Sequence, residues 1–177
     1  MVSEGAAERG TRKPRAELAL AALADDLDPR DRLHAILEQV LVFTEATLVA
    51  VYTPDDEGER LSLSGSAGVP TSLYGLLDSY PTSGATSLAE AVRTGRPVWR
   101  GSADLVQDAD ARRSVVGEFS VGVLPLDERG CLLAVSDDLD GFAPEDRRCL
   151  DLFARAVTRA APPPPLGPGA SFDLAMD

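Results

Sequence analysis

Residues 118–161 read EFSVGVLPLDERGCLLAVSDDLDGFAPEDRRCLDLFARAVTRAA, and this stretch decides the fold. Its first part holds two apolar runs, residues 119–126 and 131–135, on either side of an Asp-Glu-Arg-Gly turn sequence. The two runs predict a pair of antiparallel strands. The second part opens on Pro144 and two acids, a favourable helix start because proline needs no N–H partner there and acids match the positive helix end. Apolar residues then recur at helical spacing over positions 150–160, which predicts a long amphipathic helix with one buried face.

Length and charge limit the class of protein. The chain has 177 residues, 44% of them apolar, which suits one compact domain with a single core. Its formal net charge is −12, whereas nucleic-acid surfaces need clustered basic residues, so we expect no nucleic-acid partner. The first apolar run, residues 18–23, is too short for a signal-peptide core or a membrane span. These features predict a cytoplasmic protein without a membrane partner.

Both ends of the chain differ from the central domain. Residues 1–14 show no hydrophobic periodicity, and we expect them to form a disordered tail. Residues 15–27 predict a short amphipathic helix, which must pack on the domain or on a second copy because it is too short to be stable alone. Residues 162–177 begin with four prolines and predict a disordered, extended C-terminal tail rich in Pro and Gly.

The first half of the domain is strongly patterned. Asp28 precedes a proline and is expected to cap a helix over residues 30–46, whose apolar side chains form one stripe. Residues 47–53 and 60–65 are rich in apolar and β-branched side chains on either side of a polar turn. They predict an antiparallel hairpin.

The middle segment, residues 69–117, is less regular. It contains a loop around Tyr80, a short strand over residues 96–100 and a helix over residues 87–94. We expect Ser87 and Glu90 to form a capping box at the start of that helix. Binding sites commonly lie in such long loops on a rigid scaffold, so any ligand is expected here.

Four phrases, taken in order, resemble the GAF domain. They are LHAILEQVLVFTEATLVAVY (33–52), SLAEAVRTGRPVW (87–99), VGVLPLDERG (121–130) and GFAPEDRRCLDLFARAV (141–157). The resemblance covers residues 28–161 and implies an α+β fold, an α/β/α sandwich on a six-stranded antiparallel sheet. It further implies a regulatory module that binds a small molecule between the sheet and the middle-segment loops and forms a homodimer through its first and last helices.

The pocket implied by the resemblance has five candidate residues, which are aromatic or apolar and lie in the middle segment or on the adjoining strand: Tyr74, Leu77, Tyr80, Trp99 and Phe119. The alternative is that these side chains only close a small core over the sheet, because aromatic side chains often fill a pocket instead of lining it. Neither reading identifies a ligand or a cofactor, since ligands do not transfer with a fold.

The sequence contains few residues that could form a catalytic or metal-binding site. His34 is the only histidine, so a His pair or a His-Cys metal cluster cannot form within one chain, and its place on the helix flank favours exposure. Cys131 and Cys149 form no CxxC pair and are expected to be reduced core residues. In the GAF-type free methionine sulfoxide reductases, as the resemblance implies, the cysteines lie in the middle segment, which has none here. We therefore predict no catalytic residue, no metal site and no enzymatic activity.

Two functions remain open at this point. The first is a sensor domain whose ligand shifts the first and last helices and so changes a dimer or partner interface. The second is a docking or dimerisation module without a ligand, its pocket filled by its own side chains. Truncation of Trp99 distinguishes the two roles of that residue, because removal of a core tryptophan costs about 3–5 kcal/mol whereas a pocket residue mainly affects ligand response. The signalling partner cannot be identified from the sequence.

Overall fold

The computed structural model describes residues 12–23, 26–68, 79–105, 119–128 and 130–160. Of the predicted tails, residues 1–14 and 162–177, positions 1–11 and all of 162–177 lie outside the described residues, as do two of the candidate pocket residues, Tyr74 and Leu77. The helices are α1 (Arg12–Ala21), α2 (Pro29–Phe43), α3 (Ser87–Thr94), α4 (Ser102–Leu105) and α5 (Pro144–Ala160). The strands are β1 (Leu48–Pro54), β2 (Arg60–Ala67), β3 (Ser79–Pro81), β4 (Val98–Arg100), β5 (Ser120–Pro125) and β6 (Cys131–Ser136).

The six strands form one antiparallel sheet in the order β3-β2-β1-β6-β5-β4. Helices cover both faces, because side chains alternate across each strand and both sets are apolar. In β1, for example, Val49 and Val51 pack against α2 and α5, whereas Ala50 and Tyr52 pack on the side of α3. We call these the three-helix face (α1, α2 and α5) and the α3 face. The predicted α/β/α sandwich on a six-stranded antiparallel sheet is confirmed.

Helix α2 begins and sits as its sequence requires. Asp28 Oδ1 accepts hydrogen bonds from the backbone N–H groups of Arg30 at 2.8 Å and Asp31 at 3.1 Å, which confirms the predicted cap. Leu33 then lies directly over Gly65 of β2, where a Cβ atom would stand 2.8 Å from Leu33 Cδ2. The missing side chain at Gly65 therefore lets α2 approach the sheet closely.

Helix α1 begins earlier than we predicted. Arg12, which lies inside the segment assigned to a tail, is the first described residue and is already helical. Its guanidinium reaches both Asp146 on α5 and Glu45 after α2, each at 3.2 Å. Ala16 on the same helix is completely buried against the three-helix face. The short helix thus packs on the domain.

Two local predictions in the middle segment were wrong. Tyr80 does not lie in a loop, because residues 79–81 pair with the start of β2 and form the edge strand β3. The cap of α3 is Thr86, whose hydroxyl accepts from the N–H of Ala89 at 3.1 Å, so the expected capping box is absent. Glu90 instead pairs with Arg100 of β4 at 2.7 Å, an ion pair that ties α3 to the sheet.

Candidate functional site

Part of strand β2 has no neighbouring strand on its outer side among the described residues. Strand β3 pairs only with residues 60–62 of β2, so residues 63–67 of β2 form an open edge within the described part of the chain. Strands β2 and β6 end here, and strands β1 and β5 begin here. The residue pairs that show this are Val49–Ala67, Leu48–Val135 and Ser120–Ser136. Gly68, the last described residue before segment 69–78, and Phe119, the first described residue after segment 106–118, both lie at this same end of the sheet.

Ser66 supplies a polar group at this open end. It pairs with Ala50 of β1, which in turn pairs with Leu133 of β6, and both of these residues lie on the α3 face. Because directly paired residues share a face of the sheet, Ser66 also lies on the α3 face. The residue is 8% exposed, and its hydroxyl has no hydrogen-bond partner among the described residues. Because buried hydroxyl groups are normally hydrogen-bonded, this oxygen is suited to a bound water or ligand.

Apolar side chains lie on the same face of the sheet at this end. Leu48, Val135 and the predicted pocket residue Phe119 are each only partly buried, and all three pack against the core of the α3 face. A mostly apolar surface with one or two placed polar groups is the usual composition of a small-molecule site. We refer to Ser66, Leu48, Phe119 and Val135 as the open-end site.

Tyr80 shares the α3 face but lies further from the open end. Its ring contacts Tyr52 edge to face, with 5.6 Å between ring centroids and 74° between planes, and it is 7% exposed. Tyr52 is paired in turn with Cys131 of β6. The tyrosine pair therefore fills this part of the face, which corresponds to the alternative reading of Tyr80 as a core residue.

Trp99 does not belong with Tyr80 and Phe119, contrary to the grouping made from the sequence. It pairs with Gly122 on β5, and its side chain packs on the three-helix face against Phe142, with ring centroids 5.9 Å apart. The Arg147 guanidinium stands 4.9 Å from the centroid of the Trp99 ring. The neighbour Val98 takes the α3 face, so strand alternation places Trp99 on the opposite side of the sheet from the open-end site.

The two cysteines lie on opposite faces of the sheet. Cys131 is part of the α3-face core and Cys149 part of the three-helix core; both thiols are reduced, and both residues are completely buried. Burial raises the pKa of the Cys149 thiol, which lowers its thiolate fraction and therefore its reactivity. His34 is exposed and lies 3.6 Å from Glu38 on the same helix. Among the described residues no group of three or more His, Cys, Asp or Glu side chains is placed to hold a metal ion.

Comparison with known proteins identifies the family. A family model described as GAF domain matches residues 26–160 of this chain. The chain belongs to the GAF domain family. This fold is typical of sensor and regulatory domains, and the resemblance inferred from the four sequence phrases is confirmed. No curated protein matches the chain.

Several solved structures share the fold. The GAF domain from an Acinetobacter phosphoenolpyruvate-protein phosphotransferase is 13% identical, with a TM-score of 0.65, and the match covers 87% of this chain and 92% of that one. The second GAF domain of DevS from Mycobacterium smegmatis is 23% identical, with a TM-score of 0.58 and coverage of 75% and 92%. At these identities the likeness establishes the fold alone.

The prediction that the protein is not an enzyme does not stand. A free methionine-R-sulfoxide reductase from Neisseria meningitidis, in complex with its substrate, is 23% identical with a TM-score of 0.67, and the match covers 90% of this chain and 92% of that one. The same GAF fold therefore includes enzymes, and the absence of middle-segment cysteines is too narrow a criterion to exclude catalysis. None of the described helices is long and apolar enough to cross a membrane.

Proposed function

We propose that this GAF domain is a regulatory module that binds a small molecule at the open-end site and signals through the surface formed by α1, α2 and α5 to a second copy or a partner protein. The observation that carries the proposal is the buried Ser66 hydroxyl, which has no partner among the described residues and lies on the same face of the sheet as half-buried apolar side chains. A ligand with one hydrogen-bonding group and an apolar body satisfies both features.

The packing supports a route from this site to the helices. Ser66 is bonded to Gly65, and Gly65 contacts Leu33 of α2 on the other face of the sheet. Close-packed cores transmit small displacements because they contain few voids, so a ligand that moves the end of β2 also moves α2. Helix α2 packs on α5, and both helices form part of the proposed output surface.

Native mass spectrometry of the protein purified without denaturation tests the proposal, because it reports bound small molecules and subunit number together. We expect a species with additional mass that is lost in Ser66→Ala. Ser120→Ala is the matched control, since the Ser120 hydroxyl is equally buried and also lacks a partner within the described chain, but it lies on the three-helix face. Equal ligand retention in the two variants would overturn the assignment of the site.

Two other outcomes would favour a different function. A ligand-free species that also fails to respond to a metabolite library in thermal unfolding favours the docking module, in which the Tyr52–Tyr80 pair fills the face. Turnover of free methionine-R-sulfoxide by the pure protein, abolished in Cys131→Ser or Cys149→Ser with folding intact, replaces the regulatory proposal by an enzymatic one. The thiols are the groups to test because the chain contains no other cysteines.

A further inference from the structure

A groove of about 660 Å³ runs between α1, α2 and residues 148–160 of α5. It lies on the side of the sheet opposite the open-end site. Its apolar floor includes Leu20 and Leu23 beside α2 residue Ile36, together with Leu152 and Ala156 of α5. Four of these five side chains are only partly buried, which leaves apolar surface for a further segment to cover.

The rim of the groove is positively charged. Five basic side chains line it, namely Lys13, Arg32, Arg148, Arg155 and Arg159, against the two acids Glu17 and Asp151. The chain as a whole carries a net charge of −12, so the sign of the charge around the groove is opposite to that of the whole chain. An apolar floor with a basic rim selects a segment that combines apolar and acidic side chains.

We propose that residues 171–177 of this chain, SFDLAMD, bind in the groove. Phe172, Leu174 and Met176 supply apolar side chains for the floor, and Asp173 and Asp177 supply carboxylates for the basic rim. The segment thus has the composition that the groove selects. The groove and the segment lie in one chain, so even a weak contact is favoured by a high effective concentration.

The connection is long enough for this contact. Ala160 lines the groove, and residues 161–170 follow it directly as a ten-residue spacer. A ten-residue spacer spans up to about 30 Å when extended, whereas the groove along α5 from Arg148 to Ala160 measures about 18 Å at 1.5 Å per residue. The four prolines form its first part, and Gly167 and Gly169 after them permit the reversal of direction that the contact requires.

Two other occupants fit the groove less well. Residues 1–11, MVSEGAAERGT, carry neither an aromatic residue nor a leucine, and one of their two acidic charges is offset by an arginine. A second copy of the domain presents the same basic rim, which opposes a symmetric contact across the groove.

Zero-length carbodiimide crosslinking of the full chain tests the proposal. Lys13 is the only lysine and lines the groove, so a product that joins Lys13 to Asp173 or Asp177 reports docking at a defined place. Lys13 and Glu17 are 3.9 Å apart, and their product serves as an internal standard. Mixed unlabelled and ¹⁵N-labelled chains distinguish contacts within a chain from contacts between copies. We expect Lys13–tail peptides without mixed labels.

Point variants of the full chain test the role of the apolar side chains. Phe172→Ala is expected to lower the Lys13–tail product about tenfold or more relative to the internal standard, because the aromatic side chain loses its burial. Leu166→Ala in the spacer is the matched control and is expected to leave the product unchanged. Loss of the product in Phe172→Ala alone supports the proposal.

Three results would overturn it. The first is the Lys13–Glu17 product without any Lys13–tail product. The second is a tail product found only with mixed labels, which assigns the contact to a second copy. The third is an equal loss in Phe172→Ala and Leu166→Ala, which shows that no specific side chain is recognised. All three leave the ligand proposal untouched, because the open-end site lies on the other side of the sheet.

Discussion

Trp99 and Gly122 are packed so closely that a Cβ atom on Gly122 would stand 2.4 Å from Trp99 Cζ3. The indole of β4 therefore occupies the space that any side chain on β5 would need at this pair. Phe142 completes the cluster, and Arg147 donates a 2.8 Å hydrogen bond from Nε to the carbonyl oxygen of Phe142. The start of α5 is thus held to the sheet by an aromatic cluster on the three-helix face.

Gly122→Ala is expected to lower the free energy of unfolding by about 1–3 kcal/mol, because the new methyl group overpacks the indole. The same substitution in a Trp99→Leu background should cost much less, since the clashing ring atoms are gone. Urea denaturation of the two single variants and the double variant gives the coupling energy. An equal cost in both backgrounds would mean that the Trp99 ring is not what constrains Gly122.

Trp99→Ala is expected to lower the free energy of unfolding by about 2–4 kcal/mol, somewhat below the usual cost for a fully buried tryptophan because this ring is only half-buried. Any ligand retained by the wild-type protein in native mass spectrometry should also be retained by this variant. Loss of the ligand from a folded Trp99→Ala protein would contradict the placement of this residue away from the open-end site.

Ser120 and Ser136 face each other across β5 and β6 but differ in their hydrogen bonds. Ser136 Oγ accepts from the N–H of Asp138 at 3.1 Å, whereas the buried Ser120 hydroxyl has no partner in the described part of the chain. Ser136→Ala should therefore cost about 1 kcal/mol, and Ser120→Ala should be neutral or stabilising. Chemical denaturation checks both values. A larger loss for Ser120→Ala than for Ser136→Ala would contradict this account.

Asp146 gives the fold a defined pH dependence. Burial raises the pKa of its carboxyl group, an effect that the nearby Arg12 guanidinium only partly offsets. With a raised folded pKa, the contribution of this group to stability is complete below its ordinary value of 3.8 and is lost as the pH rises through the folded pKa.

Asp146→Asn should remove this dependence, because an amide does not titrate. We expect the stability of the wild-type protein to fall relative to the variant as the pH rises from about 3 to about 7, in thermal unfolding at constant ionic strength. Glu45 also faces this carboxyl, and Glu45→Gln serves as the control for its charge. Parallel stability curves for the wild type and Asp146→Asn would show that the carboxyl does not titrate in this range.

Much of the architecture followed from local pattern. The apolar alternation of residues 119–126 and 131–135, the helical spacing over positions 150–160 and the Asp28 cap each correspond to an element that the structure contains. Each of these features depends on residues that are close together in the sequence, so each can be predicted without knowledge of distant contacts. The helical state of Arg12 could not be predicted in this way, because its guanidinium is held by Asp146 and Glu45, far along the chain.

The candidate site depended on a different kind of information. Simple alternation along RLSLSGSA places residue 65 on the same face as Leu61 and Leu63, but an irregularity in the pairing of β1 with β2 shifts the register. Ser66 consequently shares the face of Leu61 and Leu63, and Gly65 turns to α2. No signal in the sequence marked this residue, since a bulge arises from the pairing of two strands.

The sequence by itself determined the amphipathic helices and the strand pairs, because hydrophobic periodicity specifies which surfaces must be buried. The family and the six-stranded α/β/α arrangement were implied by the resemblance of four sequence phrases to the GAF domain. Tertiary structure alone decided that Trp99 packs against α5 and that the Ser66 hydroxyl is buried at an open sheet edge. It also decided that α1, α2 and α5 enclose a basic groove. The physical reason is that strand register and helix docking bring residues into contact that are far apart along the chain, and no local sequence pattern marks such contacts.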